Sequence, residues 1–241
     1  MRRGDFNING FIGSANGAVI TNWFDTGIPE RKITLNDSAV GLDRAILFDD
    51  GNYANRDFEF EFSIQADTEA QRKSRYVALL IALDTGKYLP ATFYFDENYQ
   101  YQIVRTDVVD ITRPLIFSST RIYRVKVSAA PFKYLLNVAN VTGTSLTLTN
   151  PEAYTAKPHF IIIGNGNINL TVNGVVTKLT GVVASIELDS ALQTVWRMNG
   201  PTVINENAKM AIGPFPVLKP GTNTVSVSAG TVTVEPRWRT L

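Results

Sequence analysis

Asp67-Thr68-Glu69-Ala70-Gln71-Arg72-Lys73-Ser74-Arg75-Tyr76-Val77-Ala78-Leu79-Leu80-Ile81-Ala82-Leu83-Asp84-Thr85-Gly86 is the one convincing helical stretch in a sequence otherwise patterned for strands. Asp67 and Thr68 supply N-cap oxygens, and Gln71 stands three residues beyond Thr68, the spacing of a capping box. Ala70, Val77, Leu80, Ile81 and Asp84 recur at steps of three, four or seven and predict one shared face. Gln71, Arg72, Lys73 and Arg75 predict a solvated first half. Tyr76 to Leu83 is apolar nearly all round, which predicts burial on several sides. Gly86 is placed to end the helix in a left-handed conformation, and Leu89-Pro90 prevents a restart. A helix over 68–85 spans roughly 25 Å, enough to cover one face of a small sheet. It reads as the plug of a first β-rich domain, the alternative being a surface helix that bridges two strands.

Just before it, Phe58, Phe60, Phe62 and Ile64 alternate with Glu59, Glu61 and Ser63, the pattern of a strand apolar inward and acidic outward. Glu59 and Glu61 read as solvated outward positions in preference to a catalytic pair. Further upstream, Phe6 to Gly17 mixes Asn and Gly with single apolar residues and reads as an irregular arm. Strand patterns begin at Ala18-Val19-Ile20 and Lys32 to Leu35, with Gly27-Ile28-Pro29 between them. Asp49-Asp50-Gly51-Asn52 reads as a turn with too few spaced oxygens for a calcium loop. Beyond the helix, Ala91 to Phe95 and Tyr99 to Arg105 form a predicted hairpin closed by Asp96-Glu97-Asn98. Its rings Phe93, Phe95, Tyr99 and Tyr101 predict one aromatic face. Core packing is the default use of such a face, and contact with a neighbouring subunit is the other, so these four are the candidate interface residues. Thr120 to Ala129 alternates basic and apolar residues, another one-sided strand.

Composition changes near Ala130-Pro131-Phe132. Residues 1–133 hold 16 basic and 17 acidic side chains, whereas 134–241 hold 7 and 5 and are rich in Thr, Asn, Val and Gly. We therefore place a domain boundary there, giving residues 1–133 and residues 134–241. The second part shows turn signals every eight to twelve residues and reads as an antiparallel sandwich. Its strands include His159 to Ile163, Ile168 to Val172, Ser185 to Asp189, Thr194 to Met198, Thr202 to Asn205, Thr224 to Ser228 and Thr231 to Pro236. Asn173-Gly174 is a two-residue hairpin signal. The fold class is mainly β with one helix: an N-terminal sandwich or barrel-like domain carrying the helix and the aromatic hairpin, then a C-terminal β-sandwich.

The order Ile161-Ile162-Ile163-Gly164-Asn165-Gly166, Ile168-Asn169-Leu170-Thr171-Val172-Asn173-Gly174, Ile186-Glu187-Leu188-Asp189 and Gly213-Pro214-Phe215-Pro216-Val217-Leu218-Lys219-Pro220-Gly221-Thr222-Asn223 resembles the C-terminal half of the distal tail proteins of long-tailed siphophages. The closing Glu235-Pro236-Arg237-Trp238-Arg239 fits the same family. The first half matches its layout through Asp25-Thr26-Gly27, Glu30-Arg31, strands, one helix and the aromatic hairpin. The resemblance implies a structural hub at the phage tail tip. Its N-terminal domains form a homo-hexameric ring, and its second domain is a galectin-like sandwich facing outward. It also implies contact with the tail-tube protein, the tail-tip hub and receptor-binding or baseplate proteins. DNA passes through the lumen without specific binding. The implied location is the virion, assembled in the host cytoplasm.

The chemistry offered by the residues is sparse. With no cysteine and His159 as the single histidine, no Cys–His arrangement exists, and a Ser–His–Asp triad requires His159 itself. His159 opens a strand after Lys157-Pro158 and reads as a partly exposed structural histidine. Gly164-Asn165-Gly166 is a hairpin turn, lacking the third glycine and helix of a dinucleotide fingerprint. Arg3-Gly4-Asp5 and the sequons at Asn36, Asn140 and Asn169 are short enough to arise by chance. No apolar run approaches the length of about 18 residues that spans a bilayer, so a soluble chain made in a reducing cytoplasm is expected, without membrane insertion. No catalytic residue, metal or cofactor is expected. The rival reading is a lectin-like, carbohydrate-binding module, but His159 is followed by Phe160-Ile161 and Trp196 by Arg197-Met198, which departs from the galactoside-binding motifs of the galectin fold. Trp238, between Arg237 and Arg239, is expected to pack back on the protein, since an exposed indole there is costly.

Overall fold

The computed structural model describes residues 1–37, 41, 43–112 and 120–241. The chain divides into two compact units, Met1–Lys133 with Leu241, and Tyr134–Thr240.

In the first unit the segment expected to be an irregular arm supplies strands β1 (Phe6–Ile8) and β2 (Phe11–Ile12). Asp5 explains the order. Its buried carboxylate accepts from Ser14 N and Ser14 Oγ, both at 2.8 Å, and folds the chain back on itself. The Arg3-Gly4-Asp5 sequence therefore presents no free aspartate. Next come β3 (Ala18–Ile20), β4 (Arg31–Asn36), β5 (Ile46–Tyr53) and β6 (Arg56–Gln65). Helix α1 (Glu69–Leu83) precedes β7 (Leu89–Phe93), β8 (Tyr99–Thr112) and β9 (Thr120–Ala129). Seven of these strands form one antiparallel sheet in the order β2-β1-β7-β8-β9-β6-β3. Its spine is the β6–β9 ladder, in register over all ten residues from Arg56↔Ala129 to Gln65↔Thr120. Phe58, Phe60, Phe62 and Ile64 meet Val127, Val125 and Tyr123 in the buried layer. Glu59 and Glu61 stand opposite Lys126 and Arg124 on the other face, as cross-strand pairing favours.

The acidic turn expected at Asp49 to Asn52 lies inside β5 instead. Asp49 Oδ1 accepts from Gly51 N and Asp50 Oδ1 from Asn52 N, while the ladder shifts register between Arg31 and Ile33 of β4. These side-chain loops kink the strand without ending it.

Thr68 caps α1 by accepting from Gln71 N at 3.2 Å, and Gln71 Oε1 accepts from Asp67 N at 3.1 Å. The buried face differs from the expected one. Arg72, Leu79 and Leu83 are buried, and Tyr76 stacks on Tyr123 with ring centroids 4.3 Å apart. Val77 and Ile81, assigned inward by periodicity, are 42% and 69% exposed. The second half offers two apolar stripes. The one that holds Leu79 and Leu83 faces the core, with Tyr76 stacked on Tyr123. Arg72, expected in water, lays its stem along the core and pairs with Glu69.

Strand β10 (Lys133–Leu135) runs across the division between the units, and the second unit then enters β11 (Val141–Gly143) and β12 (Ser145–Asn150). It continues through β13 (His159–Ile163), β14 (Gly166–Val172), β15 (Val175–Val182), β16 (Ser185–Asp189), β17 (Thr194–Asn199) and β18 (Thr202–Asn205). The last strands are β19 (Met210–Ile212), β20 (Gly221–Val227), β21 (Thr231–Glu235) and β22 (Arg239–Thr240). Strands β11 to β21 make two antiparallel sheets, β11-β21-β13-β16-β17-β18 and β12-β20-β14-β15-β19, while β10 and β22 pair with each other. Phe160, Ile162, Ile186 and Leu188 of the first share one core with Ile168, Leu170, Leu179 and Val225 of the second, so the two form a sandwich. Asn173 and Gly174 both adopt positive φ, 50° and 81°, as a type I′ hairpin demands. Trp238 is 5% exposed and belongs to this core, and its carbonyl accepts from Leu135 N at 2.9 Å.

Leu79→Ala is expected to destabilise the first unit by roughly 2–5 kcal/mol, whereas Ile81→Ala should fall within about 0.5 kcal/mol of wild type. Urea unfolding of both variants checks this, and equal losses would refute the assigned face. Deleting Pro236–Leu241 removes Trp238 from its core and should lower the melting temperature of the second unit by several degrees.

Candidate interaction surfaces

The four rings proposed from sequence as an interface divide in the structure. Phe93 and Tyr101 are buried in the core of the first unit, while Phe95 and Tyr99 keep partial exposure. The division follows from the strand bounds. β7 ends at Phe93, and Asp96 turns the chain, its amide donating to Phe93 O at 3.0 Å and its carbonyl accepting from Tyr99 N at 3.1 Å. Phe24, from the segment after β3, stands edge-on to Phe93 and Phe95 at 5.4 and 5.0 Å, and Phe93 stacks on Phe95 at 5.6 Å. Aromatic packing thus fixes the base of the hairpin and leaves Phe95 and Tyr99 toward its tip.

A polar network locks the same place. Tyr101 Oη donates to Asp96 Oδ2 at 2.7 Å, and Lys133 Nζ reaches the same oxygen at 2.7 Å. The Lys133 ammonium lies 4.7 Å from the Tyr99 ring and 5.7 Å from that of Tyr101. Arg56 is buried, with its guanidinium 5.2 Å over Tyr101 and Nη1 donating to Gly27 O at 3.0 Å. Burial lowers the Arg56 guanidinium below its ordinary range, opposed by Tyr101 and Asp96. Burial, reinforced by the bond to Asp96, pushes the Tyr101 phenol well above its ordinary value. These groups act as structural anchors, although Arg56 Nε and Nη2 are buried without a hydrogen-bond partner.

Other residues carry the exposed apolar surface, and periodicity alone did not mark them. Strands β4 and β5 pair with each other and with no third described strand. Ile33, Leu35, Ile46, Leu47 and Phe48 of this two-stranded arm are all exposed. A hollow of about 700 Å³ runs along it, lined by Lys32, Ile33, Thr34, Leu47, Phe48 and Asp50 among others. Nearby in sequence, Trp23 and Ile28 are 82% and 88% exposed, flanking the anchored Phe24. A sequence signal for the arm existed: β4 carries Ile33 and Leu35 and β5 carries Ile46, Leu47 and Phe48, close to both polar turns and charged residues.

The outward face of the β6–β9 ladder is charged. Arg124 Nε donates to Glu61 Oε1 at 2.9 Å and lies 3.9 Å from Glu59 Oε1. Glu59 and Glu61 are thus matched to a cation and are not a free carboxylate pair. Among the described residues no cluster of His, Asp and Glu could hold a metal ion, and no helix is long and apolar enough to cross a membrane. His159, expected to be partly exposed, is buried at the start of β13, where Trp196 stacks on it at 5.3 Å.

No family model matches the sequence, and no curated protein matches it. Solved structures do. The crystal structure of the Dit protein of phage SPP1, described as a paradigm of the hub adsorption apparatus in phages infecting Gram-positive bacteria, superposes with a TM-score of 0.70 at 13% identity, covering 95% of this chain and 96% of that one. The baseplate of phage P2 in its activated conformation with calcium gives 0.54 at 8% identity, covering 95% and 97%. The same baseplate with strontium gives the same values.

Below about pH 10 the buried Tyr101 keeps its proton both in the folded chain and in the unfolded one. Above it the unfolded phenol ionises first, so stability falls as pH rises. Tyr101→Phe is expected to cost about 1 kcal/mol at neutral pH and to flatten that alkaline decline. Urea midpoints between pH 8.5 and 11 measure it; parallel slopes for the two proteins would refute the role given to Tyr101. At 13% and 8% identity the likeness lies in the fold, which this chain shares across nearly its whole length with the Dit protein of phage SPP1 and a chain of the phage P2 baseplate.

Proposed function

We propose that this protein is a structural hub of the distal end of a phage tail, in which six copies form a ring that joins the tail tube to the tail-tip or baseplate components. Residues 1–133 build the ring, its lumen lets DNA pass without specific binding, and residues 134–241 form a galectin-like module that faces outward and supports host-adsorption components. The observation that carries this reading is the β4–β5 arm. An isolated two-stranded hairpin is marginal in water, and this one leaves five large apolar side chains exposed. Such a surface calls for a covering partner, and apolar contacts of this kind suit an obligate interface between copies. Phe95 and Tyr99, toward the hairpin tip, are the two of the four candidate interface residues that keep exposure. Fold likeness to hub proteins over 95% of the chain supports the same role.

A non-catalytic reading is supported by the site chemistry. The single histidine is enclosed, and the acidic pair on β6 is matched to Arg124. One face of Trp196 is already occupied by His159, which leaves less indole for a sugar ring.

Native mass spectrometry is expected to give about 160 kDa, six times the 26.6 kDa chain. Deleting Lys32–Asn52 should reduce it to a monomer with the core intact, and residues 134–241 alone should be a soluble monomer. A monomeric full-length protein would overturn the ring; a hexameric 134–241 fragment would move the ring contacts to the other unit. Tight glycan-array binding lost on Trp196→Ala would instead favour the lectin reading.

A further inference from the structure

An asparagine followed by glycine is chemically labile, because glycine has no side chain to shield its own amide nitrogen from the preceding carboxamide. The sequence holds five such pairs, at Asn9, Asn16, Asn165, Asn173 and Asn199. The structure separates them by how firmly each carboxamide is held. Asn9 Nδ2 donates to Ala82 O at 3.3 Å, and Asn16 Nδ2 donates to Ile12 O at 2.9 Å. Asn165 Oδ1 accepts from Ala184 N at 2.9 Å. Asn173 is tied at both ends: Nδ2 donates to Asn223 Oδ1 at 2.8 Å, and Oδ1 accepts from Thr224 N at 2.9 Å. Asn223 is itself fully buried, so that lock is firm. Asn199 is exposed, and its carboxamide has no hydrogen-bond partner among the described residues.

The backbone beside Asn199 is open as well. Asn199 ends β17 and pairs with Thr202 of β18, the edge strand of its sheet, so Gly200 and Pro201 form the turn between them. Gly200 is exposed with a φ of 58°, and a Cβ built on it would meet no atom within 4 Å. Nothing therefore crowds the nitrogen that must attack, and no contact restrains the group it attacks.

We propose that Asn199 is the site of a spontaneous covalent modification, deamidation through a cyclic imide, which the fold suppresses at the other four pairs. Gly200 N forms a bond to Asn199 Cγ, the bond from Cγ to Nδ2 breaks, and Nδ2 leaves as ammonia with the amide proton. Water then opens the imide at either carbonyl, giving aspartate or isoaspartate at position 199. Either product adds a negative charge at the tip of the β17–β18 hairpin and cancels the formal net charge of +1. The isoaspartyl product also lengthens the backbone by one carbon, which breaks the pairing of Asn199 with Thr202 at the sheet edge. This inference is independent of the hub reading and concerns the second unit alone.

The test ages the full-length protein in mildly alkaline buffer, folded and in guanidinium chloride, and follows all five pairs by peptide mapping. Conversion is read as the mass gain of an amide becoming an acid, and isoaspartate by enzymatic methylation. In the folded protein Asn199 is expected to convert first, ahead of the others by roughly fivefold for each hydrogen bond that must first break. In guanidinium chloride the five rates should converge, and Asn199→Gln should abolish the early acidic species of the folded protein. Conversion of any other pair as fast as Asn199 in the folded protein overturns the assignment. So does an Asn199 that stays intact while the unfolded chain converts. An equal lead for Asn199 in guanidinium chloride would show that the folded contacts are not the cause, and would overturn it too.

Discussion

Ten consecutive pairs between β6 and β9 set the conditions for everything else in the first unit. Because side chains alternate along a strand, this one ladder buries Phe58, Phe60, Phe62 and Ile64 and at the same time matches Glu59 and Glu61 with Lys126 and Arg124 in water. A slip of β6 by one residue would turn Asp57, Glu59 and Glu61 inward and expose Phe58, Phe60, Phe62 and Ile64, so the register is strongly specified. The aromatic layer that results gives α1 its seat, through Tyr76 on Tyr123, and gives Phe24 its anchor among Phe58, Phe60 and Phe93.

That firm scaffold stands in contrast to the arm of β4 and β5, which pairs with no third strand among the described residues. A chain able to bury Phe60 and Phe62 completely does not leave Leu35, Leu47 and Phe48 in water for want of core-forming capacity. On the proposed hub reading the contrast belongs to assembly more than to folding. Phe24 is anchored while Trp23 and Ile28 project, so under the same reading a rigid base would present apolar groups at a fixed place and lower the entropy cost of association.

The second unit solves its folding problem differently. Few charges and many Thr, Val and Asn residues build two sheets whose inner faces interlock, and the chain end completes the core with Trp238. Buried Asn223 supports one end by accepting from Lys219 N at 2.8 Å and donating to Lys219 O and Gly221 O. Charged groups are concentrated around His159, where they bind three strands and the closing segment together.

Period-two alternation with turn residues determined the strand-rich class, the β6 and β9 strands, most strands after residue 159 and the hairpin at Asn173-Gly174, because these signals depend on neighbours in sequence. Composition alone also pointed to a change of character after Lys133. The helix itself was legible from its cap at Thr68 and its length. Its buried face was decided by tertiary structure, since two apolar stripes were available and contact with Tyr123 chose the one holding Tyr76. The division of Phe93 and Tyr101 from Phe95 and Tyr99, the burial of Asp5 and Arg72, and the exposure of the β4–β5 arm were decided the same way. Each depends on which residues distant in sequence come to lie alongside, and a pattern of apolar and polar residues states that a side chain wants cover without stating what will provide it.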